Sequence, residues 1–166
     1  MHSSLTFRSA TPSDTDRCFQ IEQEGYAGDE AATREKIQQR IETYPEGFLV
    51  LEKESQIIGF INCGACFDVS LSDEEFKELI GHDPIGPNIV VMSVVVYPDF
   101  QHQGYATALM HEFIAMMQAM QKSAMYLICQ EELVGFYQQF GFVDDGTSES
   151  SHGGLRWNDM HLVLSN

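Results

Sequence analysis

The feature that most constrains the fold is an almost unbroken apolar segment, residues 88–97, which runs through a short polar turn into an amphipathic segment. Continuous hydrophobicity of this kind means that both faces of a strand are covered, which is typical of a central strand. After the turn, apolar residues recur at helical spacing over 105–120. We therefore expect a buried strand that passes through a tight turn into a packed helix. The apolar helix positions are Ala106, Leu109, Met110, Phe113, Met116, Met117 and Met120.

The rest of the chain alternates strand and helix patterns, so we predict a mixed α/β fold. A chain of 166 residues is one domain by the usual length rule, here residues 1–166, and it buries about 70% of its unfolded surface. Turn and helix-start signals such as Thr11-Pro12-Ser13-Asp14 place the boundaries. The predicted strands are 5–8, 48–52, 57–67, 124–129 and 155–164, with another starting at 142–143. The predicted helices are 11–24, 31–43, 71–80 and 131–140.

The formal net charge of −16 argues against a nucleic-acid partner, because phosphate binding needs a basic surface. An acidic field would concentrate protonated amines instead, although plain solubility explains the charge equally well. No apolar run approaches the about 20 residues that span a bilayer. The N-terminal residues lack the basic and apolar regions of a signal peptide. We therefore expect a cytoplasmic protein with no membrane partner.

The four cysteines do not form the pattern of a disulfide framework. Cys63 and Cys66 lie in the predicted strand 57–67, where a spacing of three points side chains to opposite faces. No second pair supplies further metal ligands, and the histidines show no metal-ligand spacing. We expect buried, reduced cysteines and no metal. The other two cysteines are Cys18 and Cys129.

The turn after the central strand has the character of a pyrophosphate site. Gly104 and Ala106 leave the main chain uncovered, so successive N–H groups at the helix start would point at one place, with the helix dipole behind them. A Walker loop is excluded because the chain has no glycine-lysine-serine/threonine run. A Rossmann fingerprint needs three spaced glycines, which are absent here.

The hexapeptide Gln101-His102-Gln103-Gly104-Tyr105-Ala106 resembles the acyl-CoA signature of the GNAT superfamily, Q/R-x-x-G-x-G/A. The later run Phe136-Tyr137-Gln138-Gln139-Phe140-Gly141-Phe142 is similar to that superfamily's strand, short helix and closing motif, in the expected order. Residues 21–26 and 159–161 also resemble its arylalkylamine N-acetyltransferase branch. The resemblance implies a mixed, largely antiparallel central sheet with a splayed parallel strand pair, flanked by helices.

The resemblance also implies how acetyl-CoA binds. The backbone of Val94, Val95 and Val96 would pair with the pantetheine arm, and the turn would hold the pyrophosphate. The turn residues are Gln101, His102, Gln103, Gly104, Tyr105, Ala106 and Thr107. Because the turn contains no lysine or arginine, amides and the helix terminus would carry the binding. We therefore expect weak affinity with little dependence on salt.

The implied chemistry is direct attack of an amine on the thioester, without a covalent acyl-enzyme. A backbone N–H near Val94 would bind the developing oxyanion, and Tyr137 would protonate the departing thiolate. The arylalkylamine enzymes of animals relay the amine proton through two histidines on the central strand, and Val90 and Met92 occupy the matching positions here.

The base therefore has to come from elsewhere. Glu22, Glu24 and Glu30 lie on or after the first helix, and we expect such glutamates to be solvated surface residues. His152 stands before two glycines that would let its loop approach a cleft, but it reads equally well as an exposed loop histidine. Water alone is a further option. The candidate catalytic residues are Tyr137, His152 and Glu24.

The sequence thus predicts an N-acetyltransferase that moves an acetyl group from acetyl-CoA to a primary amine. The insertion over residues 71–87 favours a small-molecule amine, since it would partly wall the acceptor side. Two alternatives stay open: a peptide or protein N-acetyltransferase, and an acetyl-CoA-binding sensor with weak catalysis. The sequence leaves the identity of the amine and the oligomeric state open.

Overall fold

The computed structural model describes residues 5–26, 31–71, 76, 78–150 and 156–164. Two of the candidate bases, Glu30 and His152, lie outside the described residues, as does half of the predicted helix 71–80. Within the described residues, the helices are too short or too polar to cross a membrane.

The chain forms a mixed α/β fold around a seven-stranded sheet, as predicted. The strands are β1 Leu5–Ser9, β2 Phe48–Lys53, β3 Gln56–Cys66, β4 Asn88–Val96, β5 Ala124–Cys129, β6 Val143–Thr147 and β7 Asn158–Val163. The helices are α1 Thr15–Gly25, α2 Arg34–Thr43, α3 Tyr105–Ala119 and α4 Val134–Gln138. Short 3-10 turns lie at Pro12–Asp14, Pro45–Gly47, Pro98–Phe100 and Glu131–Leu133.

The strand order is β1-β2-β3-β4-β5-β7-β6, which places β4 at the centre and confirms the interpretation of its apolar sequence. β1 with β2, β2 with β3, β5 with β7 and β6 with β7 pair antiparallel. β4 and β5 pair in parallel, from Asn88 opposite Ala124 to Val90 opposite Tyr126. Both strands continue beyond Val90 and Tyr126 without further pairing, as expected of a splayed pair.

The chain divides into two compact units. Unit 1 consists of Met1–Cys63 and Ser93–Phe113. Its core lies between α1, α2 and the strands, and the rings of Phe48 and Phe60 pack with centroids 5.1 Å apart. The buried cluster comprises Ala10, Cys18, Ile21, Ile37, Ile41, Phe48, Val50, Ile57, Phe60 and Val95. A capping box at Thr11 and Asp14 begins the first helical segment, as the sequence predicted.

Unit 2 consists of Gly64–Met92 and Ile114–Asn166. β5, β7 and β6 form its ladder, and a smaller apolar cluster contains Cys66, Phe76 and Val90. Lys122 is buried, and its Nζ donates hydrogen bonds of 2.7 Å to the carbonyl oxygens of Pro84 and Gly86. This buried ammonium group fixes the loop that precedes β4.

The predicted elements agree with the structure except at a few ends. Met120 follows the last turn of α3 and is 38% exposed, so its assignment to the buried helix face was wrong. The predicted helix 131–140 is a 3-10 turn followed by the short α4, and the last strand begins at Asn158 rather than 155. The four cysteines are buried and free, as expected.

Candidate active site

In unit 1, β4 leads through a 3-10 turn into α3, and hydrogen bonds hold this transition in place. The N–H of Tyr97 donates to the carbonyl oxygen of Ile58 at 2.7 Å, which ties the end of β4 to β3. The N–H of Phe100 then donates to Tyr97, and that of Gln101 to Pro98. The chain is thereby turned sharply before α3 starts.

The turn exposes main chain at the start of α3. His102 and Gly104 adopt left-handed backbone angles, with φ of 63° and 86°. A Cβ built on Gly104 would meet no atom within 4 Å, so the glycine is required by the backbone angle and leaves open space above it. The N–H groups in the first turn of a helix have no partner within the helix. This geometry suits an anion such as a pyrophosphate.

The structure adds a cation that sequence reasoning missed. The Nζ of Lys53, at the end of β2, lies 5.7 Å from the ring centroid of Phe100 and 5.6 Å from that of Tyr105. These rings bracket the turn, so its surroundings include a positive charge although residues 101–107 contain no lysine or arginine. The hairpin between β2 and β3 brings Lys53 there, and its only sequence signal was a polar hairpin.

Side chains contact the β4 backbone at the positions predicted to pair with pantetheine. The N–H of Val94 donates to the hydroxyl of Tyr26 at 2.9 Å, and that hydroxyl donates to the carbonyl oxygen of Val94 at 2.9 Å. The Nε2 of Gln101 donates to the carbonyl oxygen of Val96 at 3.0 Å. The sequence singled out Gln101 through the motif, but it gave Tyr26 no polar role.

The candidate glutamates on α1 behave differently from each other. Glu24 is exposed, as expected. Glu22 is only 2% exposed, so the expectation that it lies on the solvated surface was wrong. Its Oε2 accepts a hydrogen bond of 2.8 Å from the N–H of Ala32. Its buried neighbour Arg40 is a charged group, and an ion facing Arg40 and a backbone N–H is stable inside the fold.

In unit 2, Tyr137 on α4 is buried among aromatic rings. Its ring centroid lies 5.0 Å from that of Phe136 and 5.8 Å from that of Phe142, both in edge-on arrangements. Burial, with a smaller contribution from Cys129, raises the pKa of the Tyr137 phenol well above its ordinary value. The phenol therefore stays protonated at neutral pH, which is the state that an acid needs.

Burial also governs the cysteines. It raises the pKa of the Cys129 thiol to about 11, and it raises the pKa values of Cys18 and Cys66 as well. A thiol is nucleophilic only as the thiolate. These three cysteines therefore suit packing better than nucleophilic attack.

The positions that correspond to the animal histidine pair are apolar. Val90 belongs to the cluster with Cys66 and Phe76, and Met92 packs against it. The described histidines with recorded partners lie elsewhere in unit 2: the Nδ1 of His82 accepts from the N–H of Ala65, and the Nδ1 of His161 lies 2.6 Å from a carboxylate oxygen of Asp145. Among the residues that the structure describes, no group of three or more acidic, histidine or cysteine side chains is placed to hold a metal ion.

Unit 2 also contains a polar cavity of about 270 Å³ where β5 ends and α4 begins. Two carboxylates, those of Glu131 and Glu132, lie on one side of it, and Arg156 lies among the other lining residues. The remaining lining residues are Gln130, Thr147 and Asn158. A cavity of this size accommodates a small polar molecule.

Comparison with known proteins gives a consistent assignment. Residues 14–142 match the Acetyltransferase (GNAT) family. Serotonin N-acetyltransferase from Mesocricetus auratus is 27% identical over 164 residues, which cover 95% of this chain and 77% of the relative. The chain therefore belongs to the GNAT acetyltransferase family. Within that family, it is an acyl-CoA-dependent N-acetyltransferase.

Solved structures support the fold. The loading GNATL domain of CurA from Lyngbya majuscula superposes with a TM-score of 0.87 at 16% identity, over 97% of this chain and 98% of that domain. The GphF GNAT-like decarboxylase in complex with isobutyryl-CoA gives a TM-score of 0.84 at 17% identity, over 96% of this chain and all of that chain. At these identities the likeness concerns the fold alone.

Proposed function

We propose that the protein transfers the acetyl group of acetyl-CoA to the primary amine of a small molecule, by direct attack of the amine on the thioester. The observation that carries the proposal is the turn in front of α3. Gly104 at φ 86° leaves the first N–H groups of the helix open to an anion, in the position of the acyl-CoA signature.

The proposed coenzyme site has two parts along the chain. The backbone of Val94, Val95 and Val96 pairs with the pantetheine arm, as an added strand does. The turn then holds the pyrophosphate through the residues Gln101, His102, Gln103, Gly104, Tyr105, Ala106 and Thr107. The arm enters where the parallel pairing of β4 and β5 ends, at Val90 and Tyr126.

The proposed chemistry requires an oxyanion donor, an acid and a base. The N–H of Val94 stabilises the oxyanion, and the protonated phenol of Tyr137 gives its proton to the departing thiolate sulfur. Glu24 and His152 stay the candidate bases for the amine proton, with water as the further one. The reaction uses no metal and no covalent acyl-enzyme.

Three observations support a small cationic acceptor. The relative over most of the chain is a serotonin N-acetyltransferase, whose name states a small amine. The net charge of −16 attracts protonated amines. The polar cavity of unit 2 carries the carboxylates of Glu131 and Glu132 beside its neutral lining. We further propose that residues 1–166 act as one catalytic domain in the cytoplasm, where cysteines stay reduced.

The test is coenzyme release from acetyl-CoA with three acceptor panels: arylalkylamines, polyamines and peptides with free N-termini. We expect turnover with at least one small amine that exceeds turnover with peptides. Turnover with peptides alone would replace the small acceptor by a peptide. Tight acetyl-CoA binding with no turnover on any panel would favour the sensor instead.

A further inference from the structure

The central strand of unit 1 has its hydrogen-bonding groups occupied by side chains at two alternate positions. The hydroxyl of Tyr26 both accepts from the N–H and donates to the carbonyl oxygen of Val94, each at 2.9 Å. Gln101 donates to the carbonyl oxygen of Val96. In an extended strand the N–H and C=O of one residue point to the same side, so Tyr26 bonds to Val94 as a neighbouring strand would.

The end of α1 is built to place this hydroxyl. A Cβ on Gly25 would overlap the side chain of Val95, so only glycine lets the helix approach β4 this closely. The N–H of Tyr26 closes the helix by donating to the carbonyl oxygen of Glu22 at 3.1 Å. Residue 26 itself is extended, with φ −114° and ψ 149°. The phenol is therefore directed at Val94 by a packed helix end.

A buried polar group beside β4 reinforces the arrangement. The Nη1 of Arg40 lies 3.4 Å from the Oγ of Ser93 and 3.4 Å from the Oδ1 of Asn62. Arg40 and Ser93 are almost fully buried. Ser93 directly precedes Val94, so this contact restrains β4 next to the residue that Tyr26 holds.

We propose that Tyr26 is a displaceable cap, which occupies the place of the thioester oxygen on Val94 in the free protein and leaves when acetyl-CoA binds. The inference rests on the proposed function, because it takes Val94 as the oxyanion donor. A single N–H donates one good hydrogen bond, so the phenol and the acetyl oxygen compete for it. Tyr26 thereby satisfies the exposed edge of β4 until the coenzyme replaces it.

Competition of this kind predicts a ranking among ligands. Acetyl-CoA displaces the cap completely, because its carbonyl needs the Val94 N–H. CoA has the pantetheine arm but no acetyl oxygen, so it gains less when the cap is removed. Adenosine 3′-phosphate 5′-diphosphate has no arm and does not reach Val94. Removing the hydroxyl should therefore help these three ligands in that order.

The experiment is calorimetric titration of the wild-type protein and the Tyr26→Phe variant with the three ligands. We expect the variant to bind acetyl-CoA about five-fold more tightly, CoA about two-fold more tightly, and the armless nucleotide equally well. Tyr44→Phe is the matched control, since its ring packs against Gly47 in the same unit, and it should leave all three dissociation constants unchanged.

Hydrogen exchange of the Val94 amide provides a second measurement that does not depend on ligand. The amide should be protected in the free wild-type protein and exchange at least ten-fold faster in Tyr26→Phe. Equal or weaker acetyl-CoA binding by the variant, or unchanged exchange at Val94, would overturn the cap while leaving coenzyme binding intact. Absence of binding by both proteins would instead overturn the proposed function, and the cap with it.

Discussion

The two units contribute different kinds of chemistry. In unit 1 the features that matter are main-chain groups: the N–H and C=O of Val94 and the open amides that follow Gly104. In unit 2 the feature that matters is one side chain, the buried phenol of Tyr137. Main-chain chemistry depends on where the chain turns, whereas side-chain chemistry depends on what surrounds the group.

This difference explains why the two regions respond differently to substitution. Unit 1 should tolerate many side chains in its turn as long as the backbone keeps its path, and its failures should appear as weaker coenzyme binding. Unit 2 should be sensitive to the loss of a single hydroxyl, and its failure should appear in the rate of the chemical step. Separate measurement of Kd and kcat therefore tests the comparison.

The largest effect is expected for Tyr137→Phe. Removal of a general acid costs about 100-fold or more in kcat, and the Kd of acetyl-CoA should stay within about two-fold. Because burial raises the pKa of this phenol, the wild-type kcat should also show no alkaline decline that belongs to Tyr137 below about pH 10.

Tyr126→Phe is the control for this prediction, because Tyr126 is a partly buried tyrosine of the same unit that stacks on His161. It should leave kcat unchanged. A Tyr137→Phe variant with wild-type kcat would show that the phenol only packs, and the assigned difference between the units would disappear.

The next effect is expected for Gly104→Val. A branched side chain at φ 86° strains the turn and covers the open amides, so the Kd of acetyl-CoA should rise about 30-fold, which corresponds to about 2 kcal/mol. Gly146→Val is a matched control, since Gly146 has φ 103° and equally open surroundings in β6. Both variants should lose stability, but only Gly104→Val should lose coenzyme affinity. Equal affinities in the two would remove the anion site from the turn.

Glu22 and Glu24 give a matched pair of side-chain tests within unit 1. Glu22→Gln weakens a buried hydrogen bond to Ala32 and removes a charge beside Arg40, so the free energy of unfolding should fall by about 1–3 kcal/mol. Glu24→Gln changes an exposed residue and should leave it unchanged, as followed by urea denaturation. The kcat of Glu24→Gln then measures its role as a base without a stability component. A stable Glu22→Gln variant would contradict the buried role.

The smallest effect is expected for Lys53→Gln. Lys53 lies near the turn without belonging to it, so the Kd of acetyl-CoA should rise about three-fold at low salt, and the difference should shrink as salt is added. Lys36→Gln on α2 is the control and should have no effect. A salt-independent Kd in the wild type would mean that the amides alone hold the phosphates, as the sequence of the turn first suggested.

The sequence predicted most of the fold because its signals are local. Apolar runs, helix starts and the Gly104 turn each act within a few residues, and they placed β4 and α3 correctly. The failures came from tertiary contacts. Glu22 looks like surface on its own helix, and only α2 with Arg40 makes it buried. Tyr26 and Lys53 gained their positions from distant partners, Val94 and the rings of Phe100 and Tyr105, which no local pattern encodes.

The tight packing of Gly25 on Val95 has a kinetic consequence. The helix end has no room to shift toward β4, so the phenol of Tyr26 must leave by rotation about its own side-chain bonds. Rotations of partly exposed side chains take picoseconds to nanoseconds, whereas a typical enzyme turns over about ten times a second. Opening is therefore far too fast to limit turnover, and association of the coenzyme should proceed in a single phase without a lag.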